Sequence, residues 1–205
     1  VLGDVWRGTA QGSRNAVFVA VGTGIGAGVL VDGRVLRGQR DIAGAIGWLA
    51  LDRSYLPGYE THGGFEYPAS GPGLIRHARD VVRDSPGYAG ALTAERLTTA
   101  DLFAAYDAGD PLAARVLDNA VELWGMAAAN LISIFDPEVV VFGGGIFGPA
   151  ARFLERIRAV ALRWGQPIST PQVRFGVCSL GGDAGLYGAG HLALRSLSTP
   201  AAHPG

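Results

Sequence analysis

Val21-Gly-Thr-Gly-Ile-Gly-Ala-Gly28 is a glycine-rich turn set between two apolar, β-branched runs, and it decides the fold. Asn15–Val21 has the pattern of a buried strand, and Val29–Leu36 predicts a hairpin, because Asp32-Gly33 suits a two-residue turn with positive φ at both positions. The glycines therefore connect two strands. Their missing side chains allow a phosphate to approach the backbone N–H groups, and Thr23 adds a hydroxyl donor.

This turn differs from the two commonest phosphate-binding motifs. The spacing Gly22-x-Gly24-x-Gly26 is not that of a dinucleotide-binding Rossmann turn, and we expect no helix directly after it. A Walker motif is also absent, since the chain contains no lysine. The sequence predicts a phosphate-binding hairpin of the type found in sugar kinases and actin.

The composition is that of a globular protein with a sizeable core. Of 205 residues, 48% are apolar and 17% charged, and the net charge of −1 gives no electrostatic reason to expect nucleic acid or a membrane as partner. One cysteine, Cys178, excludes an internal disulfide and favours the cytoplasm. The sequence contains no recognisable signal peptide or transmembrane segment.

After the hairpin, the hydrophobic periodicity predicts alternating elements. Helices are expected over 71–83, 99–106, 110–135, 149–164 and 183–197, strands over 48–51, 138–142 and 172–177, and a loop over 53–70. In the longest helix Asp110 is the N-cap and Pro111 occupies the first position. The strand–helix alternation after residue 110 predicts an α/β layer with parallel strands.

The two ends of the chain carry their own expectations. Residues 1–197 are expected to form one unit and 198–205 a disordered tail. The chain opens on Val1, and Leu2–Arg7 has the pattern of the middle or end of a helix. We therefore interpret the chain as part of a longer protein, cut at its N-terminus.

A second glycine cluster, Gly143-Gly144-Gly145, follows the predicted buried strand 138–142. Ligands of open α/β sheets bind outside the carboxyl ends of such strands, and the N-terminus of a following helix favours an anion. A tight turn without a ligand explains this cluster equally well when it is taken alone. Its pairing with Gly22-Thr23-Gly24 favours the ligand.

Six motifs in order resemble the ROK family (repressors, open reading frames and kinases), and the resemblance covers about residues 1–195. It implies an α/β, actin-like ATPase (ribonuclease H-like) fold, with this chain as the C-terminal lobe and its flanking helices and the N-terminal lobe missing. The motifs are Val21–Gly38, Ala43–Trp48, Phe65–Pro72, Asn130–Pro137, Gly143–Gly145 and Gly182–Ala189.

For kinase members, the resemblance implies phosphorylation of a hexose hydroxyl by ATP, with Mg²⁺ brought by the nucleotide. Glu66 matches a glutamate that contacts the sugar, although a solvated loop carboxylate is the alternative. We also expect a homodimer. The positions that match the nucleotide site are Gly22, Thr23, Gly24 and Gly26 beside the phosphates and Gly143, Gly144 and Gly145 beside the adenosine.

The chain departs from the family at two places. Where the kinases carry Gly-Glu-x-Gly-His, with a sugar-binding glutamate and histidine, this chain has Gly44-Ala-Ile-Gly-Trp48. The family's cysteine-rich zinc loop aligns with Pro57–Gly64, which has no cysteine and a single histidine, His62. One histidine cannot replace a four-ligand site, so we expect no structural zinc.

The family's catalytic aspartate is expected upstream of Val1, and Asp4 matches a position beyond it. A sugar hydroxyl needs a base, so the fragment alone is expected to be inactive. The leading hypothesis is part of an ATP-dependent sugar kinase. Ala45 and Trp48 favour an alternative, the non-catalytic, sugar-sensing effector domain of a ROK repressor; a domain kept for dimerisation is a third hypothesis.

Overall fold

A mixed five-stranded sheet forms the centre of the protein, for which a computed structural model describes residues 1–93 and 95–198. The strand order is β3-β2-β1-β4-β5, with β1 antiparallel to β2 and parallel to β4, and β4 parallel to β5. The strands are β1 Ala16–Val21, β2 Ile25–Val31, β3 Arg34–Val35, β4 Val139–Gly143 and β5 Arg174–Val177.

Helices cover both faces of this sheet. The last helix continues through Ser198, and the rest of the predicted tail, 199–205, lies outside the described residues. No helix in the described ranges has the length and apolarity needed to cross a membrane. The α-helices are α1 Leu2–Arg7, α2 Tyr59–His62, α3 Glu66–Ala69, α4 Gly71–Arg83, α5 Thr99–Asp107, α6 Pro111–Phe135, α7 Leu154–Trp164 and α8 Ala184–Ser198.

The predicted hairpin is confirmed. Asp32 and Gly33 have φ of 50° and 75°, the positive values that a two-residue turn of this kind requires. Across the glycine-rich turn, Val21 pairs with Ile25, and the ladder continues to Ala16 paired with Leu30. The glycines therefore connect β1 to β2, as the sequence predicted.

The predicted strand over 48–51 is wrong: Ile46–Trp48 form a 3₁₀ turn. The backbone hydrogen bonds around this segment are not those of a β-sheet. Ala27 N–H donates to the Gly44 carbonyl (2.7 Å) and Phe65 N–H to the Gly47 carbonyl (3.0 Å). The predicted loop over 53–70 likewise contains α2 and α3.

The long helix α6 supplies much of the core on one face of the sheet. The Asp110 carboxylate accepts hydrogen bonds from Leu112 N–H (2.9 Å) and Ala113 N–H (3.0 Å), which confirms the predicted N-cap. Trp124 is fully buried, and its indole N–H donates to the Ala69 carbonyl (3.2 Å). This bond ties α6 to α3, immediately beside the region of the glycine-rich turn.

A smaller cluster covers the other face. Val139 and Val141 of β4 point to it, whereas Val140 and Phe142 join the α6 core, as alternate side chains of a strand must. Leu2 and other residues of α1 pack there, and α1 packs on α8. Both faces of the sheet are thus buried, which explains the unbroken apolar run of β4.

Gly125 allows close packing of α6 on α7, and this predicts opposite effects for two glycine-to-alanine changes. A Cβ at Gly125 would lie 2.4 Å from the Val160 Cβ, whereas a Cβ at Gly190 on exposed α8 meets no atom within 4 Å. Gly125→Ala should lower the free energy of unfolding by about 1–3 kcal/mol. Gly190→Ala should raise it by up to about 1 kcal/mol through helix propensity.

Urea unfolding of both variants beside the unchanged chain measures these differences. Equal effects of the two substitutions would show that the contact between α6 and α7 is not tight.

Candidate functional site

The two glycine clusters lie side by side. Because β1 and β4 are parallel neighbours, their carboxyl ends meet at one edge of the sheet. A Cβ at Gly22 would stand 3.8 Å from the Gly145 amide nitrogen. Between the clusters opens a cleft of about 430 Å³, and its lining residues are Gly22, Thr23, Gly71, Pro72, Ile75, Thr99, Gly145 and Ile146.

Backbone hydrogen bonds hold the first glycine turn in place. Gly22 N–H donates to the Gly24 carbonyl (2.9 Å), and Gly71 N–H, at the start of α4, donates to the Gly22 carbonyl (2.8 Å). Thr23 and Gly24 are exposed at the tip. The turn therefore has a defined shape, and Thr23 at its tip lines the cleft.

The three glycines of the second cluster differ in what they do. Gly144 has a φ of +90°, and a Cβ on it would lie 2.4 Å from the Val21 carbonyl oxygen. A Cβ at Gly143 would stand 2.6 Å from the Phe18 ring. Gly145, in contrast, has no atom within 4 Å of its Cβ position and lines the cleft. Packing explains Gly143 and Gly144, and the open space at Gly145 is what a ligand would fill.

Gly26 lies outside the cleft lining. It is half-buried in β2, opposite Ala20 of β1. A Cβ on it would stand 3.8 Å from the Gly44 carbonyl oxygen, an ordinary van der Waals distance. Gly26 therefore belongs to strand β2 and does not lie at the tip of the glycine-rich turn.

Glu66 lies under the glycine turn. It is half-buried at the start of α3, and its Oε2 accepts a hydrogen bond from Ile25 N–H (2.7 Å). A Cβ at Gly24 would stand 2.8 Å from that oxygen. The Glu66 carboxylate is therefore bonded through one oxygen to the backbone of the turn. Its contact with sugar stays a prediction, and a partly solvated carboxylate stays the alternative.

The segment that departs from the family lies against Glu66. A Cβ at Gly47 would be 3.0 Å from the Glu66 Cβ and 2.9 Å from the Ile25 carbonyl oxygen. On either side of this close contact, Ala45 is exposed and Trp48 is 57% exposed. Gly47 is thus the residue of this segment that contacts Glu66, and the two positions that depart from the family motif, Ala45 and Trp48, are exposed on either side of it.

Sequence reasoning missed the helical wall of the cleft, to which α4 contributes Gly71, Pro72 and Ile75, and α5 contributes Thr99. The segment Ser70-Gly-Pro belongs to the family motif Phe65–Pro72 and marks the predicted start of the helix over 71–83. That interpretation is correct, since the Ser70 Oγ accepts from Gly73 N–H (3.3 Å). Nothing in the local pattern indicates that this helix begins beside Gly22.

Two other residues that the sequence analysis considered, His62 and Asp4, do not line the cleft. His62 Nδ1 lies 2.7 Å from the Thr61 hydroxyl, and within the described part of the chain no three His, Cys, Asp or Glu side chains come together as metal ligands would. The absence of a structural zinc remains a prediction. Asp4 is buried beside Cys178 (Oδ2 to Sγ, 3.6 Å), and burial raises the pKa of its carboxyl group.

Comparison with known proteins agrees with the motifs. The model of the ROK family matches residues 1–196. The chain is 32% identical over 196 residues to a glucokinase of Halalkalibacterium halodurans, covering 93% of this chain and 59% of the relative. It is 34% identical over 196 residues to the bifunctional enzyme NanE/NanK of Brucella melitensis, covering 96% of this chain and 34% of that enzyme. The chain thus spans about three fifths of the first relative and one third of the second.

Solved structures show the same fold. A ROK family glucokinase from Streptomyces griseus, in complex with glucose and AMPPNP, superposes with a TM-score of 0.81 at 28% identity, over 95% of this chain and 65% of that one. A ROK family transcriptional regulator, a homolog of the E. coli MLC protein, gives a TM-score of 0.82 at 25% identity, over 94% and 49%. The predicted fold class, α/β and actin-like, is confirmed.

The bond from Ile25 to Glu66 predicts graded effects at this position. Glu66→Ala leaves the Ile25 N–H without its acceptor and should lower the free energy of unfolding by about 1–3 kcal/mol. Glu66→Gln keeps an acceptor oxygen and should cost less. Amide hydrogen exchange at Ile25, read by NMR, should speed up most in the alanine variant. Unchanged protection of Ile25 in Glu66→Ala would contradict the assigned bond.

Proposed function

The chain belongs to the ROK family, and from this membership we propose that it is the nucleotide-binding part of an ATP-dependent sugar kinase. The reaction is transfer of a phosphoryl group from Mg-ATP to a hydroxyl of a hexose or a related sugar. The observation that carries the proposal is the cleft between the two glycine turns, with an open position at Gly145 and Glu66 beside it.

Phosphoryl transfer requires mainly positioning and electrostatic stabilisation, and each part of the cleft can be given a role in it. Gly22, Thr23 and Gly24 would cradle the phosphates, and Gly145 would lie against the adenosine. Gly26, Gly143 and Gly144 would keep the strands that carry these turns in their close packing. The Mg²⁺ ion would arrive with the phosphates and help neutralise their charge.

Glu66 would bind the sugar beside the phosphate turn. Its Oε2 already accepts the Ile25 N–H, and a carboxylate has further lone pairs with which to accept hydrogen bonds from sugar hydroxyls. The group that removes the proton from the acceptor hydroxyl is proposed to lie outside this chain. This chain would then contribute binding and positioning, and be inactive alone.

The second candidate is a non-catalytic, sugar-sensing effector domain of a transcriptional repressor. Ala45 and exposed Trp48 favour it, because they stand where the resemblance implies a sugar-binding glutamate and histidine in the kinases. The fold similarity to a ROK transcriptional regulator is as high as to the glucokinase. A sensor needs to bind its ligand but not to orient a hydroxyl for attack.

For the whole protein, we propose a cytoplasmic homodimer whose ligands are ATP and a small sugar. No nucleic-acid contact is proposed for this segment, whose net charge is −1, and no membrane association.

Gly145→Val tests the nucleotide site without straining the fold. The new side chain enters open space in the cleft, so it should raise the Kd for Mg-AMPPNP at least about tenfold. Calorimetric titration measures this, and the rise of Tm with added nucleotide should shrink in parallel. The matched control is Gly190→Val, on exposed α8, which should bind as the unchanged chain does. Equal affinity in Gly145→Val and the control, or no binding by the unchanged chain, would overturn the nucleotide site.

Enzyme assays on the full-length protein decide between the two functions. ATP-dependent phosphorylation across a panel of hexoses is expected for the kinase. Sugar binding with no turnover of any of them would favour the sensor.

A further inference from the structure

The cleft between the two glycine turns extends along the first turn of α4. Gly71, the first residue of α4, donates its N–H to the Gly22 carbonyl (2.8 Å), so this helix starts at the turn proposed for the phosphates. Ile75, which also lines the cleft, lies about 6 Å further along the helix at the usual rise per residue. A nucleotide with its phosphates at Gly22 would therefore direct its base along α4, towards Ile75.

The side chains that line the cleft offer few hydrogen-bonding groups. Among the described residues, the lining contains no charged and no amide side chain. Three of its members are glycines and three are apolar, and the remaining two, Thr23 and Thr99, bear hydroxyl groups. Thr23 belongs to the first glycine turn. Thr99 comes from α5, which packs on α4, and is thus the lining side chain that can hydrogen-bond away from that turn.

The neighbours of Thr99 bond to one another and leave its hydroxyl available. The Thr98 Oγ1 accepts a hydrogen bond from the Asp101 N–H (3.2 Å), and the Asp101 carboxylate accepts one from the Thr98 N–H (2.9 Å). This capping box fixes the start of α5 and occupies the carboxylate of its first turn. The Thr99 hydroxyl itself has no hydrogen-bond partner within the described ranges.

The walls of the cleft leave a bound base partly in contact with water. Pro72 and Gly145 are exposed, and Ile75 and Thr99 are half-buried. Any polar group of the base that does not meet Thr99 would therefore keep its hydration. Water supplies a donor or an acceptor as needed, so this contact does not distinguish one base from another.

Adenine and guanine have the same flat ring system and differ in the groups at its edge. Adenine has a 6-amino donor where guanine has a carbonyl acceptor. A threonine hydroxyl can accept from the first or donate to the second. A site rejects an analogue strongly only where its own buried polar groups would be left unpaired. The lining of this cleft, with Thr99 as its hydrogen-bonding side chain near the base, contains no such group.

We propose that the cleft binds purine nucleotides without selecting adenine over guanine, with the Thr99 hydroxyl at the edge of the base. Pro72 and Ile75 would pack against the ring face that both bases share. The inference rests on the proposed nucleotide site and extends it: the phosphoryl donor becomes a class, the purine nucleoside triphosphates, of which ATP is one member.

Calorimetric titration of the chain with Mg-AMPPNP, Mg-GMPPNP and Mg-tripolyphosphate tests this proposal. The Kd values of the two nucleotides should agree within about tenfold, and tripolyphosphate, which has no base, should bind at least about tenfold more weakly than either. A larger preference between the nucleotides, or a smaller difference from tripolyphosphate, would overturn the inference and leave the proposed kinase function in place. Binding of none of the three would overturn the nucleotide site itself, and the inference with it.

Two substitutions at Thr99 test its place beside the base. Thr99→Val removes the hydroxyl and should weaken both nucleotides alike, by about three- to tenfold, with tripolyphosphate unchanged. Thr99→Asp supplies two acceptor oxygens, which match the two neighbouring N–H donors of guanine, so it should favour Mg-GMPPNP over Mg-AMPPNP at least about tenfold. A carboxylate also suits the first turn of a helix.

The matched control is Ala100→Asp, which adds the same charge to the same turn of α5 at an exposed position outside the cleft lining. It should leave the ratio of the two Kd values unchanged. A preference in Thr99→Asp no greater than in Ala100→Asp, or unchanged nucleotide affinity in Thr99→Val, would overturn the role of Thr99. The valine variant decides alone if Thr99→Asp does not fold.

Discussion

The parallel pairing of β1 with β4 is the constraint on which the site depends. Its register sets Ala20 beside Gly143, so that both strands end at the same level and their two glycine turns meet. The pairing is close enough that a side chain at Gly144 would collide with the Val21 carbonyl. The different sizes of the clusters on the two faces favour this register, because a slip by one residue would move the large Phe142 from the α6 core to the smaller cluster on the other face. The cleft is therefore a consequence of how the core packs.

The glycines of the two motifs fall into two classes, those that internal packing requires and those that border the cleft. Gly143 and Gly144 are explained by contacts inside the protein, and a non-binding relative would need them just as much. Internal packing does not require a missing side chain at Gly145 or at the exposed turn around Thr23, and both border the cleft. A glycine-rich motif therefore contains more information about fold than about ligand, and the ligand is indicated only by the positions that packing leaves open.

The sequence predicted the secondary-structure elements that are determined by residues within the element itself. The hairpin follows from Asp32-Gly33, and the long helix from Asp110-Pro111 and its apolar periodicity. The error at 48–51 has a non-local cause: the backbone at Gly44 and Gly47 bonds to Ala27 and Phe65, which no pattern within the segment indicates. The contact of Glu66 with Ile25 spans 41 residues, and the α4 and α5 wall of the cleft also depends on packing across the chain. The family resemblance located both glycine motifs, but it did not distinguish their structural members from the ones facing the cleft.

The distinction between residues that the fold requires and residues that it leaves free also applies to the choice between a kinase and a sensor. Glu66 holds the backbone of the glycine turn, so its presence is explained by structure whether or not a sugar is phosphorylated. Ala45 and Trp48 have no comparable structural role. Both are exposed, and the close contact with Glu66 is made by Gly47, which lies between them in the sequence. Positions that the fold leaves free are those where a change of function can appear without loss of stability. Ala45 and Trp48 are therefore positions at which a change between the two proposed functions would cost the fold little, whereas a change at Glu66 would remove the bond to Ile25.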